Sequence, residues 1–332
     1  MSESDGAPVI LMYHRVAAER LDPWRLCVSP RHFEEHLEAL RRHAHIVPLR
    51  ELQRRMVEGT AEPGSVAITF DDGYADNLLA AAPLLARHDA PATVFVTTGY
   101  LGGAREFWWD ELDRLLLEPG DLPRAVTLEL PDGPYRLDLG SAMRAGAEAL
   151  ARRVLRPERA SAPASARQSA YRTAWERLLP LRDPEQWRAL DALRAATGRP
   201  AGPRAARRQL TDGQLAKLAG NGLVEIGAHT VTHPALSLFS VAEQHEEIVG
   251  SVAALAARLG APVHGFSYPH GRYTEDTVRI VREAGLAYAC TASPAPRDAP
   301  REPDRFALPR VMVTDVDGDG LLRILAEGAR VA

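Results

Sequence analysis

Short runs of consecutive apolar residues alternate along the chain with longer stretches in which apolar positions recur every three or four residues. The first kind predicts buried strands at Val9–Tyr13, Val66–Phe70, Thr93–Thr97, Val224–Gly227, Val263–Ser267, Ala287–Thr291 and Ala307–Val313. The second predicts amphipathic helices. One opens at Ser29-Pro30-Arg31-His32 with Phe33, Leu37 and Leu40 on a single face, and another covers Asp76 to His88. A third is capped by Thr211-Asp212-Gly213-Gln214 and runs to Ala219. Ser240 to Leu259 places Ile248, Val252, Leu255 and Leu259 in register and stops at Gly260, while Thr274 to Ala284 stops at Gly285. Strand and helix alternating about seven times predict parallel strands with crossover helices, an α/β fold curled into a barrel. No Gly-x-Gly-x-x-Gly follows the first strand, which argues against a dinucleotide fold.

Between about Gly99 and Arg208 the rhythm breaks. Phe107-Trp108-Trp109-Asp110-Glu111-Leu112 is followed by a hairpin pattern, Val126–Leu130 and Tyr135–Leu139 about the turn Pro131-Asp132-Gly133. An Ala/Arg-rich helical stretch then runs on, broken at Pro157, Pro163 and Pro184, its arginines read as a solvated face. The expectation is a barrel of residues 1–98 and 209–332 carrying an insertion, 99–208, of a short hairpin plus helices.

Composition narrows the partners. In 332 residues, 45% hydrophobic and 25% charged, there is material for a large buried core, and a net charge of -4 offers no basic field to nucleic acid or a membrane surface. The polar start Met1-Ser2-Glu3-Ser4-Asp5-Gly6 and the short run after it do not read as a signal sequence, and no stretch approaches the ~18 apolar residues of a membrane span. Cys27 and Cys290, far apart, are read as free thiols of a reducing cytoplasm.

The chemistry concentrates at strand ends. Thr69-Phe70-Asp71-Asp72-Gly73-Tyr74 puts two adjacent carboxylates where a strand turns through a glycine. Far downstream, Gly227-Ala228-His229-Thr230-Val231-Thr232-His233-Pro234 carries two histidines four apart, a spacing that one helical turn would bring to the same side. Both follow strands, at the face where barrel active sites collect. Two imidazoles and one carboxylate hold a divalent metal with positions left open, and the second carboxylate is then free to act on water. Alternation alone does not say which aspartate does which. The same three donors also hold Fe(II) in oxygenases, a site with no need of a spare carboxylate.

These two motifs resemble the first two motifs of the polysaccharide deacetylases, the NodB-homology proteins of carbohydrate esterase family 4. The resemblance implies a distorted (β/α)7 barrel and metal-dependent removal of acetyl groups from N-acetylated sugars. It implies Asp71 as base, and Asp72, His229 and His233 as ligands of a divalent metal, usually Zn²⁺. The family's third motif, Arg-x-Pro-aromatic-Gly, reads here Ser267-Tyr268-Pro269-His270-Gly271, so a serine stands where an arginine ordinarily pairs with the base. Arg310, in Leu308-Pro309-Arg310-Val311, is a candidate replacement; the alternative is a surface ion pair of little worth. The resemblance also implies that the main-chain N–H of His270 helps form an oxyanion hole. No late Leu-x-His motif is evident. Leu11-Met12-Tyr13-His14-Arg15-Val16 resembles instead the subgroup of permuted motif order, which implies His14 as the acid.

Trp108 and Trp109 offer either a platform for a sugar ring or a pin for the insertion, and Asp110 beside them could reach the site. Asp315-Val316-Asp317-Gly318-Asp319-Gly320 resembles the start of a calcium loop but has Ala326 at the position of the closing Glu, and is read as a loop and helix cap. The resulting expectation is a cytoplasmic, metal-dependent amide hydrolase acting on an N-acetylated sugar of a polysaccharide, glycan precursor or glycosylated metabolite, the missing signal sequence favouring the last two. A deformylase or cyclic-imide hydrolase on the same scaffold, and a catalytically impaired sugar-binding homologue, remain as alternatives. The sequence leaves the oligomeric state open.

Overall fold

Val9–Tyr13 (β1), Ser65–Phe70 (β5) and Ala92–Val96 (β6) are buried at every residue, a pattern that suits parallel strands covered on both faces. They lie at the centre of a curled sheet in a computed structural model that describes residues 6–140, 165–293 and 304–328. The other strands are β2 (Arg15–Val16), β3 (Cys27–Val28), β4 (His45–Ile46), β7 (Ala125–Leu130), β8 (Gly133–Asp138), β9 (Val224–Ala228), β10 (Gly265–Ser267), β11 (Tyr288–Cys290) and β12 (Val311–Met312). The main sheet runs β11-β10-β9-β6-β5-β1-β12, every pairing parallel, with β4 added beside the start of β5.

The two ends of that order come together through one stretch of chain. Leu308 bridges Cys290 on β11, and three residues later Val311 pairs with Leu11 on β1. Pro309, which has no N–H to give, and Arg310 mark the change of partner. The result is a seven-stranded, distorted (β/α)7 barrel.

Strand alternation divides the core. Val9, Leu11, Tyr13, Ile68, Phe70 and Val94 pack outward against Phe33, Leu37 and Leu40 of the helix Pro30–His43 and against Ile248 and Leu255 of the helix Val241–Leu259. Burying each such side chain stabilises the fold by roughly 1.5–3 kcal/mol. Ile10, Ala67, Phe95, Tyr288, Cys290 and Leu308 form a smaller inner cluster, closed by Leu49 and Leu52. Two glycines make room for its rings. Phe95 is level with Gly227, where a Cβ would overlap the Phe95 ring, and Tyr288 is level with Gly265, where a Cβ would come within 2.5 Å of it. Both cysteines are free and buried, and burial pushes the Cys290 thiol up to about 12.

The chain divides into two compact units. The barrel unit holds the residues up to Ala18, Leu26–Gly102 and those from Gln209 on; the second holds Glu19–Arg25 and Gly103–Arg208. Within the second, β7 and β8 pair antiparallel, beside the helices Trp108–Leu116, Ala166–Leu178 and Asp183–Thr197. Two of its described arginines, Arg204 and Arg207, which lie outside its α-helices, differ from the solvated face read from the sequence. Arg207 donates to Asp110 and Asp113 at 2.7 and 2.6 Å, and Arg204 reaches Glu106 at 2.6 Å and Asp113 at 3.0 Å. Asp110 is thus engaged within this unit. Trp108 and Trp109 are buried: Phe107 stacks on Trp109 at 4.3 Å, and Trp108 lies 6.0 Å from Trp175, so neither ring is an open platform for a sugar. The stretch around Pro157 and Pro163 falls outside the described residues. Among the described residues no helix is long and apolar enough to cross a membrane.

Candidate active site

Alternation along β5 continues past its end. Ala67 and Thr69 face the barrel interior, so Asp71 does too, while Asp72 is turned by a backbone with φ of 76°. Asp71 is 3% exposed and Asp72 2%. Positive φ is uncommon for residues other than glycine, and of six described cases four are Asp72, Thr230, His233 and His270. The left-handed backbone therefore gathers at this rim, where it aims side chains that a regular strand end would not bring together.

Arg310 meets Asp71 fork to fork. Nη1 donates to Oδ1 at 2.7 Å and Nη2 to Oδ2 at 2.6 Å, and the guanidinium is fully buried. The same guanidinium donates to the Thr291 carbonyl at 2.8 Å, to Thr69 Oγ1 at 3.0 Å and to Ser267 Oγ at 2.7 Å. Ser267 Oγ in turn lies 3.3 Å from Asp71 Oδ2. The serine in place of the motif arginine thus leaves room for an arginine arriving from the closing strand. Burial pushes the Asp71 carboxyl up, but Arg310, with His229 and His14, outweighs it and holds the group below its ordinary range.

Asp72, His229 and His233 form a buried group able to hold a metal ion, their donor atoms all within 4.8 Å of one another. His229 leaves β9 on its inward face and donates Nδ1–H to the Ser267 carbonyl at 2.7 Å, which turns Nε2 toward Asp72. Asp72 Oδ1 is 3.5 Å from that Nε2 and 3.2 Å from Nε2 of His233. Ligands 2.0–2.2 Å from a tetrahedral centre stand about 3.3–3.6 Å apart, close to both of these separations. Burial raises the Asp72 carboxyl, yet its contacts with the two imidazoles hold it well below the usual range, and burial lowers His233. The two histidines do not sit on a helical turn. Residues 229–233 form a loop, with Thr230 and His233 left-handed, and the rings meet edge-on at 4.8 Å.

His14 follows β1 on the face of Ile10 and Met12, level with the same rim. It is half-buried, its Nδ1 has no hydrogen-bond partner among the described residues, and Asn77 donates to its carbonyl at 2.9 Å. Asn77 opens a π-helical turn, Asn77–Ala81. Burial lowers the His14 imidazole, against the opposing pull of Asp72 and Asp71. His270 is left-handed in the turn Pro269–Gly271, with its ring 4.6 Å from that of His233. Burial, then His233, holds its pKa well below the ordinary value.

Sequence reading missed the contacts of Thr69 and Ser267 with Arg310 and the supporting Asn77. None carries a local signal, since each acts through chain distant in sequence.

A curled parallel barrel with buried carboxylates and imidazoles gathered beyond the carboxyl ends of its strands defines a class built around a rim site. The family model for polysaccharide deacetylase matches residues 58–121 and 190–289, which include Asp71, Asp72, His229, His233 and His270 but neither His14 nor Arg310. The chain belongs to the polysaccharide deacetylase family. A polysaccharide deacetylase homologue of Bacillus subtilis, YxkH, is 29% identical over 108 residues, 32% of this chain and 38% of that protein. The chain thus aligns with well under half the length of that relative. Among solved structures, IcaB from Ammonifex degensii superposes with a TM-score of 0.58 at 20% identity, covering 99% of this chain and 98% of that one. The Streptococcus pyogenes deacetylase PplD, solved in complex with acetate, gives 0.56 at 19% identity, over 96% and 97%. At those identities the likeness is one of fold.

Proposed function

We propose that the chain is a metal-dependent amide hydrolase that removes the acetyl group from an N-acetylated sugar, releasing acetate and a free amine. The observation that carries this reading is the buried Arg310–Asp71 pair set beside the Asp72, His229 and His233 group. A structural core has no use for two adjacent buried carboxylates, one paired and one facing two imidazoles.

Asp72, His229 and His233 are assigned as the ligands, with Zn²⁺ the cation best suited to this donor set. Bound there, a divalent cation supplies Lewis acidity to an acyl oxygen and makes water more acidic. Asp71 is the base: both its oxygens accept from Arg310 and Oδ2 also from Ser267, yet Oδ1 keeps a lone pair, and the depressed pKa keeps the group ionised at neutral pH. It takes the proton of the water whose oxygen bonds to the acyl carbon. The main-chain N–H of His270 is assigned to the oxyanion. When the C–N bond breaks, His14 gives its proton to the departing amine. Arg310 orients Asp71 in the place of the motif arginine, which also counts against the impaired, sugar-binding alternative.

The test is acetate release from a panel of N-acetylhexosamine compounds with Zn²⁺ or with chelator. Acetate released only with metal supports the assignment. Formate from N-formyl analogues without acetate points to the deformylase alternative, and no turnover on any substrate with metal bound points to the impaired homologue.

A further inference from the structure

The loop that bears both histidines is held by a residue outside every motif described so far. Its carbonyls are taken from one side: Thr97 Oγ1 donates to the His229 carbonyl at 3.1 Å, and the N–H groups of Thr98 and Gly99 donate to those of Thr230 and Val231 at 3.1 and 2.8 Å. Gly99 is needed there, since a Cβ would lie 2.6 Å from the Val231 oxygen. Two consecutive N–H groups, those of Val231 and Thr232, both donate to Oε2 of Glu247 at 2.8 Å, and Thr232 Oγ1 donates to Oε1 at 2.6 Å. Successive N–H groups that converge after a left-handed residue, here Thr230, make a concave anion-binding nest, and Glu247 supplies its anion.

Glu247 stands on rigid ground. Its helix, Val241–Leu259, is fixed at its start by the reciprocal Ser240–Glu243 cap and in the core by the fully buried Ile248 and Leu255. Gly250, one turn on, lets the loop lie close: a Cβ there would meet Val231 Cγ2 at 3.2 Å.

Resting on the metal-dependent reading above, we infer that Glu247 is a positioning residue that holds the left-handed backbone of His229–His233 in its ligating form. Without its carboxylate, two N–H groups and a hydroxyl lose their acceptor together. Thr230 and His233, both left-handed, are then free to relax toward ordinary backbone and swing an imidazole from Asp72.

The experiment measures the Zn²⁺ dissociation constant of the whole chain by competition with a chelating dye, with the metal-free unfolding midpoint recorded alongside. Glu247→Ala is expected to weaken Zn²⁺ binding about 10–100-fold, the range for loss of a group that orients metal ligands. Glu247→Gln keeps one amide oxygen for the two N–H groups but not the charge, and recovers part of the loss with a midpoint near wild type. The exposed neighbour variant Glu246→Ala binds as wild type. If Glu247→Ala does not fold, Glu247→Gln is read alone and is expected to weaken binding about 3–10-fold. Wild-type affinity in either folded variant overturns the assignment. Failure of the wild-type chain itself to bind Zn²⁺ overturns the metal reading and this inference with it.

Discussion

Replacing Arg310 by Met tests the central pair of the site more directly than any other change. The side chain is fully buried and Asp71 nearly so, and breaking a buried ion pair by removing one partner costs about 3–5 kcal/mol because the other charge is left unpaired. The sign of the pH dependence follows from what remains. In the wild type the Asp71 carboxyl is held below its unfolded value, so its contribution is present above ~pH 4 and is lost as pH falls through the folded pKa. In Arg310→Met, burial acts without its chief opponent and the carboxyl moves above its unfolded value. The variant then carries a penalty at neutral pH that disappears as pH falls toward ~4.

The stability deficit of Arg310→Met is therefore largest at neutral pH and narrows on acidification. Urea unfolding at several pH values measures it. Asp71→Asn in the same chain removes the stranded charge, so the double variant is more stable at neutral pH than Arg310→Met alone. Acetate release gives a second reading: the rate at neutral pH falls about 10²–10⁴-fold as the base protonates, and part of it returns in alkaline buffer. A deficit that stays constant with pH, or a double variant no better than the single, refutes the reasoning.

His14→Ala is expected to lower kcat about 10²–10⁴-fold while leaving metal content at the wild-type level, measured by elemental analysis beside the activity assay. An unchanged rate removes it as the acid. Gly227→Ala drives a methyl group into the Phe95 ring and is expected to cost about 1–3 kcal/mol in thermal or urea unfolding. Adding Phe95→Leu recovers part of that loss, and a double variant no more stable than Gly227→Ala contradicts the packing account.

The barrel was readable because its central strands are buried on both faces and so appear as unbroken apolar runs, Val9–Tyr13 and Ser65–Phe70 among them. The two-residue strands β2, β3 and β4 escape such reading, being shorter than any period. The helix Leu49–Glu58 was hidden because its inward residues, Leu49 and Leu52, are thinly spread among arginines and glutamates. Asp71, Asp72, His229 and His233 stood out as residue types, but the backbone that converges them did not: nothing in Asp72, Thr230 or His233 announces a left-handed φ, which the surroundings impose. Arg310 was a candidate by position alone; its fork on Asp71 exists only once the sheet has curled. Glu247 looked like any acid on a helix face, and only the adjacent loop gives it a purpose. The tryptophans carried a chemical meaning that burial removes.

The stretch from Leu308 to Val313 spans the last gap in the ring and carries Arg310 across it. Asp71 and Arg310 are 239 positions apart, so during synthesis the carboxylate leaves the ribosome long before its counter-ion. A nascent chain without this final segment has β1 and β11 as raw edges and an acid with no cation to meet it. Completing the ring and pairing Asp71 are therefore one event, and a molecule stalled short of it has neither a finished scaffold nor a paired carboxylate.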